Sequence, residues 1–404
     1  MSWSGATGIG RWIAFRAITG SGFTRMLFNG LLIAGMLMGG MLIGGGCTKS
    51  SPSTTGGGQP SGSTGTAGGS AGGAPSAGGP APVFSLAWSE YPSWSVFGVA
   101  HELELINGAR GKMGPIEQKY GVDIELKEAG YDTCLNMYGS GDCDAVCMTN
   151  MDAYIVSPSR ASVAVLPTST SQGADACLVT ESVPDIEALK KVPVYGLQGT
   201  VSQYCFARCL ELNKFQEADF QFTNQDPSIA AQNMSQRAAS HQAIMVWNPF
   251  VLQTLRDRPD VRVLFDSTQI PGEIIDMVVI GADSLAKPGA DNFVKAVMET
   301  FYSVNKAIAD PQNGNEVLVA LGKKFSNLGL EDMKLVVKQT AFYSQPSEAI
   351  ALMDGDTFKQ KMELVTKFCD SHGLLKEPSS IGYGNQAGVK LRFDTSWLKG
   401  LSTN

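Results

Sequence analysis

Five short segments of this sequence combine aromatic rings, small hydroxyls, amides and carboxylates, and none of them contains Lys or Arg. They are Trp88–Trp94, Thr149–Asp152, Gly199–Tyr204, Trp247–Phe250 and Gln269–Asp276. Carboxylates and aromatic faces suit a cation, because both present negative charge to it. Each segment follows a predicted strand or begins a predicted helix, so we expect the five to meet at one ligand site.

The candidate ligand-binding residues within these segments are Trp88, Glu90, Trp94, Asn150, Asp152, Ser202, Tyr204, Trp247, Asn248, Glu273 and Asp276. The preferred set has Asp152 and Glu273 as carboxylates, Trp94 and Trp247 as walls, and Asn150, Ser202 and Asn248 as polar contacts. Each residue also has a structural interpretation, such as core packing for the tryptophans or helix capping for Asp152 and Ser202. Because Glu273 and Asp276 lie three residues apart near a strand start, we expect one of them to bind rather than both.

One feature of the sequence favours a ligand of the opposite charge. The segment Gly199–Tyr204 begins a predicted helix, and the unpaired N–H groups of a helix N-terminus attract anions. An anionic ligand is therefore the alternative.

The elements that position these segments alternate between short apolar runs and helical periodicities, which predicts α/β lobes with largely parallel sheets. Predicted strands are Val83–Trp88, Val122–Lys127, Ala145–Met148, Val163–Pro167, Val192–Gly196, Ala243–Val246, Val261–Phe265, Ile274–Ile280 and Val389–Phe393. Helices are predicted over Pro288–Ala309 and Thr357–His372. The predicted chain crosses to a second lobe near Thr180 and returns near Gln269. The first lobe then comprises residues 83–179 and 269–404 with a helical C-terminal layer, and the second residues 180–268.

The first 82 residues are not expected to belong to either lobe. Arg11, Arg16 and Arg25 precede the apolar run Met26–Gly46, which ends at Cys47. This order resembles a bacterial lipoprotein signal over residues 1–47, with Cys47 lipidated; an uncleaved membrane anchor is the alternative. Residues 48–82 are rich in Gly, Ser and Pro and are expected to form a tether with a reach of roughly 30–35 Å.

Composition excludes several classes of function. The net charge of −7 argues against nucleic acid as a partner. Cys143/Cys147 and Cys205/Cys209 have a spacing that suits a metal on a helix, but no pair of histidines accompanies them, so burial or disulfide bonding is the preferred interpretation. The three histidines lack a nearby nucleophile motif, so we predict no enzyme activity, no cofactor and no metal.

Six motifs resemble solute-binding proteins of the nitrate, sulfonate and taurine importer group, and within it the branch associated with urea carboxylase. They are Leu86–Ser89, Met148–Ala153, Trp247–Pro249, Phe265–Asp276, His372–Leu375 and Val389–Asp394. The resemblance covers residues 84–397. It implies a type II periplasmic-binding-protein fold with two crossover segments.

With the lipoprotein-like signal, the same resemblance predicts an exported, lipid-anchored solute-binding protein at the extracytoplasmic face of a bacterial membrane, and we expect it to be a monomer. It would close on a small nitrogen compound, guanidinium or urea, and deliver it to the permease of an ABC importer. Taurine, an alkanesulfonate or nitrate are the alternative ligands. A pyrimidine-synthesising enzyme of the related thiamine-precursor fold is the alternative of another class; its family pattern has a clustered cysteine motif, whereas the cysteines here are spread along the chain.

Overall fold

The computed structural model describes residues 79–402, all of which belong to one compact unit spanning residues 72–404. Its strands form two sheets. The first sheet contains β1 (Val83–Trp88), β2 (Asp123–Glu128), β3 (Ala145–Thr149), β4 (Ser162–Thr170), β10 (Ile275–Gly281), β11 (Ile381–Tyr383) and β12 (Leu391–Phe393). The second contains β5 (Asp175–Thr180), β6 (Val194–Gly196), β7 (Phe222–Asn224), β8 (Ala243–Trp247) and β9 (Val261–Asp266).

The two sheets share one strand arrangement. The first runs β2-β1-β3-β10-β4, extended by β12 and β11, and the second runs β7-β6-β8-β5-β9. In each, a strand that has just crossed from the other sheet, β10 or β5, lies antiparallel to both of its neighbours. The start of each crossing strand therefore lies beside the carboxyl ends of its neighbours, as Asp276 pairs with Thr149 and Asp175 with Trp247.

Helices cover both sheets and add a C-terminal layer. They are α1 (Ser95–Glu102), α2 (Pro115–Tyr120), α3 (Tyr131–Ser140), α4 (Asn150–Val156), α5 (Ile186–Leu189), α6 (Val201–Leu212), α7 (Pro227–Ser235), α8 (Phe250–Asp257), α9 (Ala282–Leu285), α10 (Ala290–Ile308), α11 (Gly314–Lys324), α12 (Leu330–Thr340), α13 (Pro346–Asp354), α14 (Asp356–Ser371) and α15 (Ser396–Ser402). Helix α10 buries Phe293, Val297, Phe301 and Val304 along one face, which is the amphipathic spacing read from the sequence.

The core of the first lobe forms around β10, of which all seven residues are buried. A strand covered on both faces reads as a continuous apolar run rather than an alternation, which is why this strand was predictable from its sequence. The first and last α/β segments of the chain pack together through it, because β10 bonds to both β3 and β4.

The structure places the first crossing earlier than the sequence prediction does. Strand β5 belongs to the second sheet, so the crossing occupies residues 171–174 instead of the neighbourhood of Thr180, which is the last residue of β5. Residues 175–179 thus move from the first lobe to the second. Nothing local to this short run distinguishes the two sheets, since its pairing with β8 and β9 is long-range. The return crossing covers residues 267–274, at the predicted Gln269.

Two further strands were absent from the prediction, β7 and β11, each three residues long. Because β11 precedes β12, the expectation of no strand between β10 and Val389 is wrong. Within residues 79–402, no helix has the length and apolar character needed to cross a membrane. The predicted signal, Cys47 and the tether up to residue 78 lie outside the described residues.

A candidate ligand cavity between the two sheets

A cavity of about 540 Å³ is lined by loops and helix starts from both lobes. The first lobe contributes Ser89, Glu90, Tyr91, Trp94, Glu128, Ala129, Gly130, Tyr131, Asp132, Thr133, Thr149, Ile274 and Asp276, and the second contributes Asp175, Leu197, Thr200, Val201, Asp226, Pro227, Ser228, Trp247 and Phe250. Its position at the carboxyl ends of parallel strands is the one that the sequence predicted for the ligand.

The lining is acidic and contains no Lys, Arg or His among the described residues. Its carboxylates are Glu90, Glu128, Asp132, Asp175, Asp226 and Asp276. In the described part of the chain, none of the six forms an ion pair with a basic side chain. Charge that the protein itself leaves uncompensated in a cleft attracts a ligand of opposite sign.

Aromatic rings form the walls of the cavity. In the first lobe, Trp94 stacks on Tyr131 with ring centroids 5.4 Å apart and contacts Tyr91 at 4.7 Å. In the second, Trp247 lies at the end of β8 with Phe250 6.5 Å away. These surfaces suit a planar cation. The prediction that Trp94 and Trp247 both contribute walls agrees with their positions in the lining.

The two most enclosed carboxyls are those of Asp175 and Asp276, which are 2% and 1% exposed. Ser169 donates a 2.5 Å hydrogen bond to Asp276, and Ser171 donates a 2.6 Å hydrogen bond to Asp175. Burial raises the pKa of Asp276 well above its usual range, and repulsion from Asp175 adds to the effect. Burial likewise raises the pKa of Asp175 to about 6. Asp175 was not among the predicted site residues, because its strand was missed.

Several helices begin at the cavity, and acids neutralise two of these N-termini. Asp226 caps α7 by accepting hydrogen bonds from the N–H groups of Ser228 and Ile229, and Asp132 lies in the first turn of α3. Helix α6 differs, since Thr200 caps it and its first turn carries no acid. The first turns of α1, which begins beside Trp94, and of α8, which begins at Phe250, carry no acid either, so these three N-termini are the features of the lining that suit an anion.

Trp88 and Glu90 follow the same strand but have different environments. Trp88 is buried in the core, where a Cβ at Gly98 would lie 2.9 Å from its ring, so glycine makes room for the indole. It lies outside the cavity lining, and its role is packing. Glu90 lines the cavity and accepts a 2.5 Å hydrogen bond from Ser326. Trp88 is the last residue of β1 and packs against Gly98 of α1, whereas Glu90 lies in the loop that follows the strand.

Asn150 and Asp152, at the start of α4, also lie outside the lining. Asn150 accepts a hydrogen bond from the N–H of Ile275 and donates one to the carbonyl of Glu273, which fixes the return crossing against the first lobe. Asp152 accepts 2.6 Å hydrogen bonds from Thr149 and Tyr131, both cavity residues. Asp152 therefore lies behind the cavity wall and holds Thr149 and Tyr131 in position. A structural role at the helix start was one of the two interpretations of this residue from the sequence.

Glu273 is buried away from the cavity in a cluster of its own. Tyr204 donates to it at 2.5 Å, Arg208 at 3.0 Å and Lys361 at 3.2 Å. Burial alone would raise the pKa of Glu273, but the hydrogen bonds from Arg208 and Tyr204 outweigh it and lower the pKa. Glu273 and Tyr204 are accordingly absent from the lining, and the preferred carboxylates Asp152 and Glu273 are replaced by Asp175 and Asp276.

Ser202 and Asn248 complete the predicted set. Ser202 is buried in the first turn of α6, where its N–H donates to Thr200, and its Oγ has no hydrogen-bond partner within residues 79–402. Asn248 precedes a cis proline and donates a 2.9 Å hydrogen bond to Gln339 of α12, which links the second lobe to the helical layer. Both residues adjoin the lining without belonging to it.

The seven cysteines of the described chain are all buried and unpaired. Of the two earlier interpretations, burial therefore holds and disulfide bonding does not. No group of three or more His, Cys, Asp or Glu side chains within residues 79–402 is arranged to hold a metal ion.

Comparisons with known proteins identify the fold. No family model matches the chain, and no curated protein matches it. Similar solved structures include the periplasmic aliphatic sulphonate binding protein SsuA from Escherichia coli, 17% identical with a TM-score of 0.57, which covers 74% of this chain and 94% of its own. The alkanesulfonate-binding protein SsuA from Xanthomonas axonopodis pv. citri bound to MOPS is 14% identical with a TM-score of 0.58, and the match covers 75% of this chain and 96% of that one. The ligand binding component of an ABC-type import system from Staphylococcus aureus with zinc bound is 10% identical with a TM-score of 0.53, and the match covers 74% of this chain and 94% of that one.

The chain thus has the two-lobed α/β fold of periplasmic binding proteins, which confirms the predicted fold class. The similar structures include one bound to MOPS and one with zinc bound. Ligand chemistry therefore has to be argued from the cavity of this protein, because fold alone does not fix it.

Proposed function

We propose that this protein is the extracytoplasmic solute-binding subunit of an ABC importer and that it captures a small, planar nitrogenous cation of the guanidinium type. The observation that carries the proposal is the lining itself, which has six carboxylates, no Lys, Arg or His, and no ion pair to those carboxylates within residues 79–402. The two lobes joined by two crossings support capture by hinge closure.

The expected binding mode follows from the walls and the deep carboxyls. A guanidinium group is planar, weakly hydrated and able to donate several parallel hydrogen bonds, so it stacks on an indole while pairing with a carboxylate. Trp94 and Trp247 supply aromatic faces from opposite lobes, and Asp175 and Asp276 supply carboxyls from opposite sheets. Such a cation would contact both lobes and hold them closed.

Among the nitrogen compounds, the cavity favours guanidinium over urea. The two have nearly the same shape, but urea carries no charge and gains nothing from the charge of an acidic lining. We therefore place the positively charged compound first and urea second.

An anion such as taurine, an alkanesulfonate or nitrate is the second candidate. The N-termini of α1, α6 and α8 favour it, because none of them has an acid in the first turn, and at α6 both Thr200 and Val201 line the cavity. Binding there would bring a sulfonate or nitrate into the field of the acidic lining, which opposes it. We regard the enzyme alternative as disfavoured, since the lining, within the described residues, holds no His, Lys or Cys that could act as base or nucleophile.

A thermal-shift screen of the 72–404 segment tests the proposal. Guanidinium, urea, taurine and nitrate would be compared at equal concentration and ionic strength. A ligand at 100 times its dissociation constant stabilises the folded state by about 2.7 kcal/mol. We expect the largest shift with guanidinium. A shift with taurine or nitrate, and none with guanidinium or urea, would refute the cation and leave the receptor class in place.

The location outside the cytoplasm and the lipid anchor rest on residues 1–47. We propose that Cys47 is lipidated and that the following tether holds the receptor near its permease. Replacement of Cys47 by Ser should move the protein from the membrane fraction to the soluble fraction. A Cys47→Ser protein that stays with membranes would favour the uncleaved anchor instead.

A further inference from the structure

Two aspartates of the cavity, one from each lobe, form a pair with unusual surroundings. Asp175 is the first residue of β5 in the second sheet, and Asp276 is the second residue of β10 in the first. The antiparallel insertion of both strands brings these residues to the cavity, and Asp175 is near enough to raise the pKa of Asp276 by repulsion. The pair therefore lies where the two crossings border the cavity.

The protein gives this pair hydrogen bonds but no positive charge. Ser169 donates to Oδ2 of Asp276, and Ser171 donates to Oδ2 of Asp175. The other oxygen of Asp175, Oδ1, is buried and accepts no hydrogen bond within residues 79–402. A buried carboxylate oxygen without a partner costs free energy unless a proton or a bound cation satisfies it.

The other titratable groups around the pair are neutral acids. Tyr91 faces both aspartates, Cys147 and Tyr343 face Asp276, and Cys205 faces Asp175. None of them supplies a positive charge at neutral pH. Hydrogen bonds from Ser169 and Tyr91 to Asp276, and from Ser171 to Asp175, favour the ionised forms, but burial outweighs them. Burial raises the pKa of both carboxyls, that of Asp175 to about 6.

On the basis of the proposed function, we propose that Asp175 and Asp276 determine specificity by exchanging a proton for the ligand. The guanidinium-type cation replaces a proton on this pair, and that proton leaves to solvent. For each cation that binds, one proton is released and one carboxyl group becomes a carboxylate. Capture therefore strengthens as pH rises, and solutes without a positive charge cannot drive the exchange.

The experiment is isothermal titration calorimetry of guanidinium chloride into the 72–404 segment, in two buffers of different ionisation enthalpy. At pH 6 we expect release of roughly one proton per guanidinium, and an affinity that rises up to about tenfold per pH unit below the pKa of the pair. Asp276→Asn and Asp175→Asn should lose most of this proton release. Glu331→Gln, which removes an 82% exposed acid outside the lining, should keep it.

A second measurement needs no ligand. Because the folded pKa of each carboxyl lies above the unfolded value near 3.9, the pair stabilises the fold at low pH, and this contribution is lost as pH rises through the folded pKa. The denaturant midpoint of the wild type should therefore fall from pH 5 to pH 8 more steeply than that of Asp276→Asn.

The outcomes separate the inference from the function on which it rests. Binding of guanidinium without proton release contradicts the exchange alone. Absence of guanidinium binding contradicts the proposed function together with the exchange. Parallel pH profiles for the wild type and Asp276→Asn contradict the exchange whatever the ligand.

Discussion

The hydroxyl of Tyr204 donates a 2.5 Å hydrogen bond to Oε2 of Glu273, which fastens helix α6 of the second lobe to the segment that returns the chain to the first. Arg208, one turn further along α6, binds the same carboxylate, and Lys361 reaches it from α14 in the C-terminal layer. Glu273 thus connects three parts of the molecule at the return crossing, away from the cavity.

The first prediction concerns this cluster. Glu273→Gln keeps the size of the side chain but leaves Arg208 and Lys361 without their carboxylate, so unfolding by denaturant should require about 3 kcal/mol less free energy. Glu211→Gln is the matched control, because Glu211 also pairs with Arg208 but its side chain is 68% exposed. That change should cost less than about 0.5 kcal/mol. Equal effects of the two substitutions would contradict the structural role of Glu273.

A second prediction addresses the aromatic wall. Trp247→Leu should weaken guanidinium binding by about 0.5–2 kcal/mol, since it removes a ring face on which the cation stacks. Trp397→Leu serves as the control, because Trp397 bonds to Asp291 outside the cavity. Titration calorimetry of both variants gives the comparison. Unchanged affinity in Trp247→Leu would remove that residue from the site.

A third prediction uses Asp144, which accepts hydrogen bonds from Ser85, Ser284 and Lys287. Burial alone would raise the pKa of Asp144, but these hydrogen bonds outweigh it and lower the pKa. A folded pKa below the unfolded value means that the carboxylate stabilises the fold above pH about 4 and loses this effect as pH falls through the folded pKa. Asp144→Asn should therefore lower the denaturant midpoint at pH 7 and change it little at pH 2. A similar loss at both values would show that charge is not the cause.

A fourth prediction concerns the cysteines. The seven in the described chain are buried and unpaired, and burial raises the pKa of Cys134 to about 11 and that of Cys143 to about 12. The thiolate is the reactive form of cysteine, so the cysteines of the native 72–404 segment should react slowly with a thiol reagent. After denaturation, all seven should react, consuming seven equivalents of the reagent. Fewer equivalents after denaturation without reductant would reveal a disulfide.

The sequence predicted the fold well because its signals were local. The buried run at β10 and the amphipathic spacing of α10 each identify an element without knowledge of its partners. The short strands β5, β7 and β11 were missed, since three to six residues carry too little pattern and pair only with distant strands.

The candidate site was predicted less completely. Glu90, Trp94, Trp247 and Asp276 line the cavity, whereas Trp88 and Glu273 do not. Spacing could not decide this, because Glu273 and Asp276 lie three residues apart and only the crossing geometry turns them to different neighbours. The position of Asp175 at the cavity depends on the pairing of β5 within the second sheet, which the sequence did not predict. Its sequence signal was a carboxylate at the start of an apolar run, residues 175–179.

The central claim is that uncompensated negative charge in the cavity selects the ligand. Guanidinium and urea are the most direct pair of probes, because they share shape and differ in charge. Titration calorimetry of the 72–404 segment at pH 8 and low ionic strength should give an affinity for guanidinium at least about tenfold above that for urea, or 1.4 kcal/mol. Equal affinities, or tighter binding of urea, would contradict the account.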